Sequence, residues 1–165
     1  TRRWRLLQVM VGEDGAAPFD LIALEEIDRF YGFFRPALAI FGYDSIFYPK
    51  PRSPGARMGW YSDGCALCWK RDTFELLGQE KIEYKGGNQI MVLATLRHRA
   101  TGRAMVAAVT HLKAQKNAAS EAVRCSQVEE FLGHIRRAAE LLSLDDDVAC
   151  VPVVLLGDFN ARHTY

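Results

Sequence analysis

The stretch Val151-Pro152-Val153-Val154-Leu155-Leu156-Gly157-Asp158-Phe159-Asn160 constrains the fold of this chain more than any other. An apolar, β-branched run of this kind reads as a buried strand. The Gly-Asp-x-Asn that follows forces the chain to turn. A carboxylate and a carboxamide then sit two residues apart at a sheet edge, where α/β proteins bind their ligands. Asp158 suits holding a water or a metal, and Asn160 suits donating a hydrogen bond to an anion. The same residues also suit an Asx-type turn that closes a core strand.

Helix-like and strand-like patterns mix along the rest of the chain. Residues 3–11 carry Trp4, Leu6, Leu7, Met10 and Val11 in the pattern of an amphipathic helix. Residues 19–24 read as a short buried strand running into Glu25 and Glu26. Asp28 is a good N-cap for a helix that reaches about Phe41 and stops at Gly42. Strands are expected over residues 43–48, 64–70, 74–84, 90–99 and 104–111. A long helix over 118–144 has Val123, Val128, Phe131, Leu132, Ile135, Leu141 and Leu142 as its apolar face, and Asp145-Asp146-Asp147 after it reads as a solvated loop. Residues 49–62 form a loop made positive by Lys50, Arg52 and Arg57. The mixture implies an α/β fold with hairpin and crossover connections.

Composition narrows the function classes. With 165 residues, 49% of them hydrophobic and 25% charged, the chain supports a sizeable core and one domain or part of a larger one. A net charge of +1 gives no global field toward nucleic acid or membrane, so any anion site must be local. No apolar run approaches the roughly 20 residues that span a bilayer, and no membrane partner is expected. Cys65 and Cys68 lie three apart on a strand and so point to opposite faces. The four cysteines therefore read as buried or half-buried free thiols of a reducing, intracellular compartment, cytoplasmic or mitochondrial, rather than as disulfides or a zinc site.

Three strand ends in this reading carry polar groups. Glu25-Glu26 follows one strand, His111 ends another, and Asp158 and Asn160 follow the last. A carboxylate, an imidazole and an Asp/Asn pair are what metal-assisted attack on a phosphate ester requires. A hard oxygen ligand holds Mg²⁺, a base orients water, and hydrogen-bond donors neutralise the developing charge.

Four segments in order, Leu-Glu-Glu-Ile-Asp (24–28), Asp-Gly-Cys-Ala (63–66), Thr-His-Leu-Lys-Ala (110–114) and Gly-Asp-Phe-Asn (157–160), resemble the endonuclease/exonuclease/phosphatase superfamily. The run Phe47 to Pro54, Asn88-Gln89 and the Arg124…Gln127 spacing fit best with the nocturnin-like deadenylase branch. The resemblance covers nearly the whole chain. It implies a four-layer α/β sandwich, represented here by a single incomplete domain over residues 1–165. The family's Asn-bearing first strand and C-terminal half, with its Ser-Asp-His general-base motif, are absent. It also implies a Mg²⁺ ligand in Glu26, a scissile-phosphate contact in His111, orientation or activation of the attacking water by Asp158, and a phosphate-oxygen donor in Asn160. Lys50 and Lys113 match cationic positions that hold substrate phosphates.

The substrate so implied is an adenosine-bearing phosphate ester, either RNA poly(A) cleaved 3′ to 5′ or the dinucleotide NADP(H) losing its 2′-phosphate; protein partners are not indicated. The segment on its own is expected to be inactive. The alternative is a non-catalytic, truncated relative that binds a nucleotide or a protein. Two positions depart from the branch. Glu25 stands where glutamine is usual, adding charge that strengthens cation binding or raises a neighbouring carboxylate's pKa. Gln115 stands where nocturnin-like proteins have an arginine, which removes a bidentate phosphate clamp.

Overall fold

The computed structural model describes residues 2–12, 19–53, 58–59, 62–146 and 150–161. Arg57 and Asp147, singled out above, lie outside these. Ten of the elements are regular: α1 (Arg2–Val11), β1 (Leu21–Ile27), α2 (Arg35–Ile40), β2 (Tyr43–Pro49), β3 (Gly64–Lys70), β4 (Phe74–Glu83), β5 (Ile90–His98), β6 (Ala104–His111), α3 (Ala118–Asp146) and β7 (Val153–Asp158). A short π-helical turn, Phe30–Phe34, leads into α2.

Two sheets stack face to face. The first has the order β1-β3-β2 and is antiparallel throughout; the second has the order β4-β5-β6-β7, antiparallel except for the parallel pairing of β6 with β7. Side-chain parity, which alternates along a strand, makes the layers. On β5, Ile90, Val92, Ala94 and Leu96 face the other sheet, while Met91 and Leu93 face α3. On β6, Ala107 and Val109 point inward between the sheets and Val106 and Ala108 point to α3. On β3, Cys65, Leu67 and Trp69 meet the second sheet, and Ala66 and Cys68 meet α1 and α2. Helices, sheet, sheet and helix thus form the four layers of the expected sandwich. Central strands covered on both faces must be apolar at every position, and the sequence of β3, GCALCWK, is that of such a strand. No helix among the described residues is long and apolar enough to cross a membrane.

Several expectations need correction. The run expected to be a buried strand over 151–156 is β7, shifted to Val153–Asp158 and placed at the edge of its sheet. It pairs with β6 on one side and with no described strand on the other, so Val153 and Leu155 stay about 40% and 39% exposed. Asp28 caps no helix, because β1 continues to Ile27 through a bulge and Arg29 then turns left-handed (φ 49°). The helical path starts as a π turn and becomes α only at Arg35, beside Pro36. Proline has no N–H to give to the preceding turn, so a regular α-helix restarts there instead of running through.

On α3 the buried stripe is Phe131, Ile135, Ala138 and Leu142, which leaves Leu141 one position round the helix and in solvent. The helix also runs on through Asp146, past its expected end at Leu144. Asn117 starts it, its side-chain oxygen accepting the Ser120 amide at 2.8 Å.

The cysteines divide the same way as the layers. Cys65 and Cys68 are fully buried on opposite faces of β3, whereas Cys125 and Cys150 are exposed rather than half-buried. Burial pushes the thiols of Cys65 and Cys68 up to about 12. In the folded protein at mildly alkaline pH, an alkylating reagent is expected to modify Cys125 and Cys150 and to reach Cys65 and Cys68 only in denaturant. Peptide mass spectrometry checks this, and labelling of Cys68 as fast as Cys125 would contradict the packing.

Candidate functional site

The site forms where the ends of β1, β6 and β7 come together. Along β1 the register with β3 runs Leu24 to Ala66 and then Ile27 to Gly64, so Glu25 and Glu26 together oppose one residue, Cys65. That is a β-bulge, which re-aims the side chains it contains. Glu26 takes a left-handed conformation (φ 53°), and its carboxylate stands 72% exposed with Oε1 3.9 Å from His111 Nδ1. Glu25 points inward and is half-buried. Burial pushes its carboxyl above the usual range; its own backbone hydrogen bond opposes this and the charge of Asp158 adds to it.

His111 and Asp158 are brought side by side by the parallel pairing of β6 with β7, in which they are register partners. His111 is only 5% exposed, and its Nε2 lies 3.9 Å from Asp158 Oδ2. The preceding Thr110 anchors the strand end: its hydroxyl donates to the Ile90 carbonyl at 3.0 Å and meets the Tyr84 hydroxyl at 2.7 Å. Gly157 is required here. A β-carbon on it would fall 2.0 Å from the Thr110 carbonyl oxygen, and its φ of +136° excludes ordinary side chains.

The turn reading of Asp158 and Asn160 is the one their bonds display. Asp158 Oδ1 accepts the Asn160 amide at 2.8 Å, an Asx turn, while Oδ2 faces His111. The Asn160 side chain donates to the Leu112 carbonyl at 3.0 Å, tying the end of β7 to the segment after β6.

His111 Nδ1 is a buried nitrogen with no hydrogen-bond partner. Burial, and after it the positive charge of Lys50, hold the imidazole pKa below 6.5 against the opposing pull of Glu26, Asp158 and Asp63. At neutral pH the ring is uncharged. Lys50 lies within reach because Asp63 anchors it at 2.8 Å, and Ser53 donates to the same carboxylate at 3.1 Å. Burial alone would raise the Asp63 carboxyl, but those bonds win and hold it below 3.8. Lys113 sits two residues past His111, half-buried.

No family model matches the chain. Over 151 residues it is 34% identical to nocturnin from Xenopus laevis, covering 88% of this chain and 37% of that protein. It is 29% identical over 129 residues to the CCR4-Not complex 3′-5′-exoribonuclease subunit Ccr4 of Phaeosphaeria nodorum, covering 64% of this chain and 22% of that one. The solved catalytic domain of human nocturnin, with a bound sulfate anion, superposes with a TM-score of 0.73 at 29% identity, over 98% of this chain and 58% of that chain. The chain is a relative of nocturnin and Ccr4 within the endonuclease/exonuclease/phosphatase superfamily. It spans well under half the length of the nocturnin and Ccr4 sequences.

Within this superfamily fold, Glu26 from the first sheet meets His111 and Asp158 of the second, with Asn160 just after β7, and Lys50 lies near enough to act on His111. Gln115, the second departure, turns away: its side-chain oxygen lies 3.4 Å from the Ser120 hydroxyl at the start of α3. Sequence reasoning attached no role to Asp63, Ser53, Arg124 or Gln127. Arg124 and Gln127 are buried polar residues on the inward stripe of α3. Their signal was the spacing 124, 127, 131, 135, which puts two hydrogen-bonding side chains on an otherwise apolar face.

Two measurements test the electrostatics and the close approach. Because the folded pKa of His111 lies below its unfolded value, the unfolded chain takes up the proton first. The stability this group contributes is complete above pH 6.5 and is lost as pH falls toward the folded pKa. Urea unfolding across that range should show the loss in the wild type and a flatter profile in His111→Gln. Gly157→Ala should lower the unfolding free energy by about 2 kcal/mol or more, given the strain and the clash it introduces.

Proposed function

We propose that this chain carries part of the active site of a Mg²⁺-dependent phosphoesterase acting on an adenosine-bearing phosphate ester. The observation that carries the reading is the approach of Glu26 and Asp158 to the two nitrogens of one buried, neutral His111, each at 3.9 Å. Those separations are too long for hydrogen bonds and leave Nδ1 unpartnered. A buried polar atom left so costs about 1–3 kcal/mol, which a phosphate oxygen or its water would relieve.

No group of three or more His, Cys, Asp or Glu among the described residues forms a metal cluster. The donor chemistry nevertheless fits Mg²⁺, which binds through one or two carboxylates and keeps waters and substrate phosphates as its other ligands. Glu26 would be that carboxylate, exposed and aimed by the bulge. When bound, the ion would neutralise charge developing on the phosphate oxygens.

The chain's own residues would take the following parts. Asp158, its Oδ1 fixed by the Asx turn, orients the attacking water through Oδ2 and accepts a proton from it. His111, neutral at pH 7, offers a ring N–H to a phosphate oxygen. Asn160 offers the same phosphate the second N–H of its carboxamide, the first being given to the Leu112 carbonyl. Lys50 and Lys113 hold substrate phosphates, as their match to nocturnin-like proteins suggests. Two substrates fit: RNA poly(A), releasing AMP from its 3′ end, and NADP(H), releasing its 2′-phosphate. Lys50 favours the dinucleotide and Gln115 disfavours it, while the weak net charge of +1 favours a small ligand over a long RNA. The cysteine usage supports a reducing, intracellular setting.

In the protein that contains this chain, Glu26→Ala should abolish Mg²⁺-dependent release of AMP or phosphate with little change in folding. Asp158→Asn should lower kcat by about 10²-fold or more, the scale of general-base catalysis. Wild-type turnover by Glu26→Ala at saturating Mg²⁺, or a loss under about threefold in Asp158→Asn, would remove that residue from the mechanism.

A further inference from the structure

The inward stripe of α3 changes character at its N-terminal end. Phe131, Ile135, Ala138 and Leu142 pack against the second sheet, but the next two positions up the same stripe are Gln127 and Arg124, 1% and 7% exposed. A buried guanidinium is tolerated only with its donors paired, and here they are committed to protein. Its Nε and one terminal nitrogen bond Glu121, and the other terminal nitrogen bonds the carbonyls of Lys113 and Gln115 at 2.7 and 2.8 Å. Arg124 is therefore not placed to grip a ligand. It grips the backbone on either side of Ala114.

Gln127 completes the arrangement. Its side-chain oxygen accepts the Lys113 amide at 3.1 Å, while its nitrogen donates to the Gly86 carbonyl at 2.8 Å and the Gln89 side chain at 3.0 Å. One carboxamide thus joins the segment carrying Lys113 to the turn between β4 and β5. That turn is shaped to receive it: a β-carbon on Gly87 would fall 2.4 Å from Gln89 Oε1 and 3.2 Å from Gln127 Nε2. The turn in turn holds the segment after Lys50, since Asn88 Oδ1 accepts the Arg52 amide at 3.1 Å and the Gly87 carbonyl accepts from the Arg52 guanidinium at 3.2 Å. Two cation-bearing segments, one with Lys113 and one with Lys50, are thus connected through α3.

We propose that Arg124 and Gln127 are positioning residues for phosphate capture: they set the backbone that presents Lys113 and fix its spacing from the Lys50 segment. The proposal rests on the phosphate-binding reading given above. Because both residues act through Lys113, their effect on ligand should vanish when the lysine is already gone.

The test uses the protein containing this chain, with inorganic phosphate as probe. Arg124→Met and Gln127→Leu should each speed amide exchange at residues 113–115 about tenfold or more, leave exchange in Val106–Val109 unchanged, and weaken phosphate binding by a similar factor. Arg124→Lys, which keeps a donor for one carbonyl, should fall between. Gln127→Glu, of the same shape, keeps the oxygen that accepts the Lys113 amide but lacks the two N–H donors to the β4–β5 turn; it serves as the control against packing loss and should disturb exchange at 113–115 less than Gln127→Leu while still weakening phosphate binding. Lys113→Ala with Arg124→Met should bind phosphate no more weakly than Lys113→Ala alone. In turnover, the Arg124 and Gln127 variants should raise KM with kcat within about threefold of wild type. Unchanged exchange at 113–115, additive losses with Lys113→Ala, or no phosphate binding by the wild type overturns the proposal. If exchange and phosphate binding behave as expected but no AMP or phosphate is released from substrate, the catalytic reading fails and the positioning role stands.

Discussion

The site depends on one backbone arrangement: β6, covered on both faces, with β7 running parallel beside it. Its inward residues are held between two sheets and its outward residues under α3, so the strand has no freedom to slide. A one-residue slip would reverse every side chain and place Ala108 and Val106 where Val109 and Ala107 now pack. His111 inherits that rigidity as the strand's last residue. The β7 pairing then fixes Asp158 against it with no further device than register. The first sheet contributes Glu26 from the other side, and the inter-sheet core sets the distance between them.

Burial and exposure are distributed around this point in a way that separates the roles of the charged groups. The imidazole is enclosed and neutral, while both carboxylates that face it stay largely in solvent. Asp63 and Lys50 neutralise each other at the rim, so the lysine brings its charge near His111 without an unpaired cation in a half-buried place. The pair itself is largely shielded, its side chains 14% and 30% exposed. Its use is geometric, since it holds a cation where a free lysine side chain would sample many rotamers.

Much of this was legible in the residue pattern, for definite reasons. The near-continuous apolar sequences of β5 and β3 declare strands covered on two faces, and the opposite facing of Cys65 and Cys68 follows from strand parity alone. Glu26, His111 and Asp158 stood out because each closes an apolar strand with a polar group. What could not be read depended on distant partners. The bulge that extends β1 and prevents Asp28 from capping a helix follows from register with β3, some forty residues away. The shift of β7 to Val153–Asp158 follows from its register with β6, which its own sequence does not carry. The Arg124–Gln127 clamp was visible only as a spacing, since its partners are backbone groups with no sequence signature.

The left-handed backbone at Glu26 has a consequence for how such a site persists. A β-carbon-bearing residue in that region costs about 1 kcal/mol or more relative to glycine, and asparagine tolerates it better than glutamate does. Folding stability taken alone would favour glycine or asparagine at this position, and the carboxylate survives there only while something other than stability retains it. Position 26 is thus a place where drift toward a more stable fold and loss of the carboxylate are the same event. A copy of this domain released from its function would be expected to change there early, and to become slightly more stable as it did so.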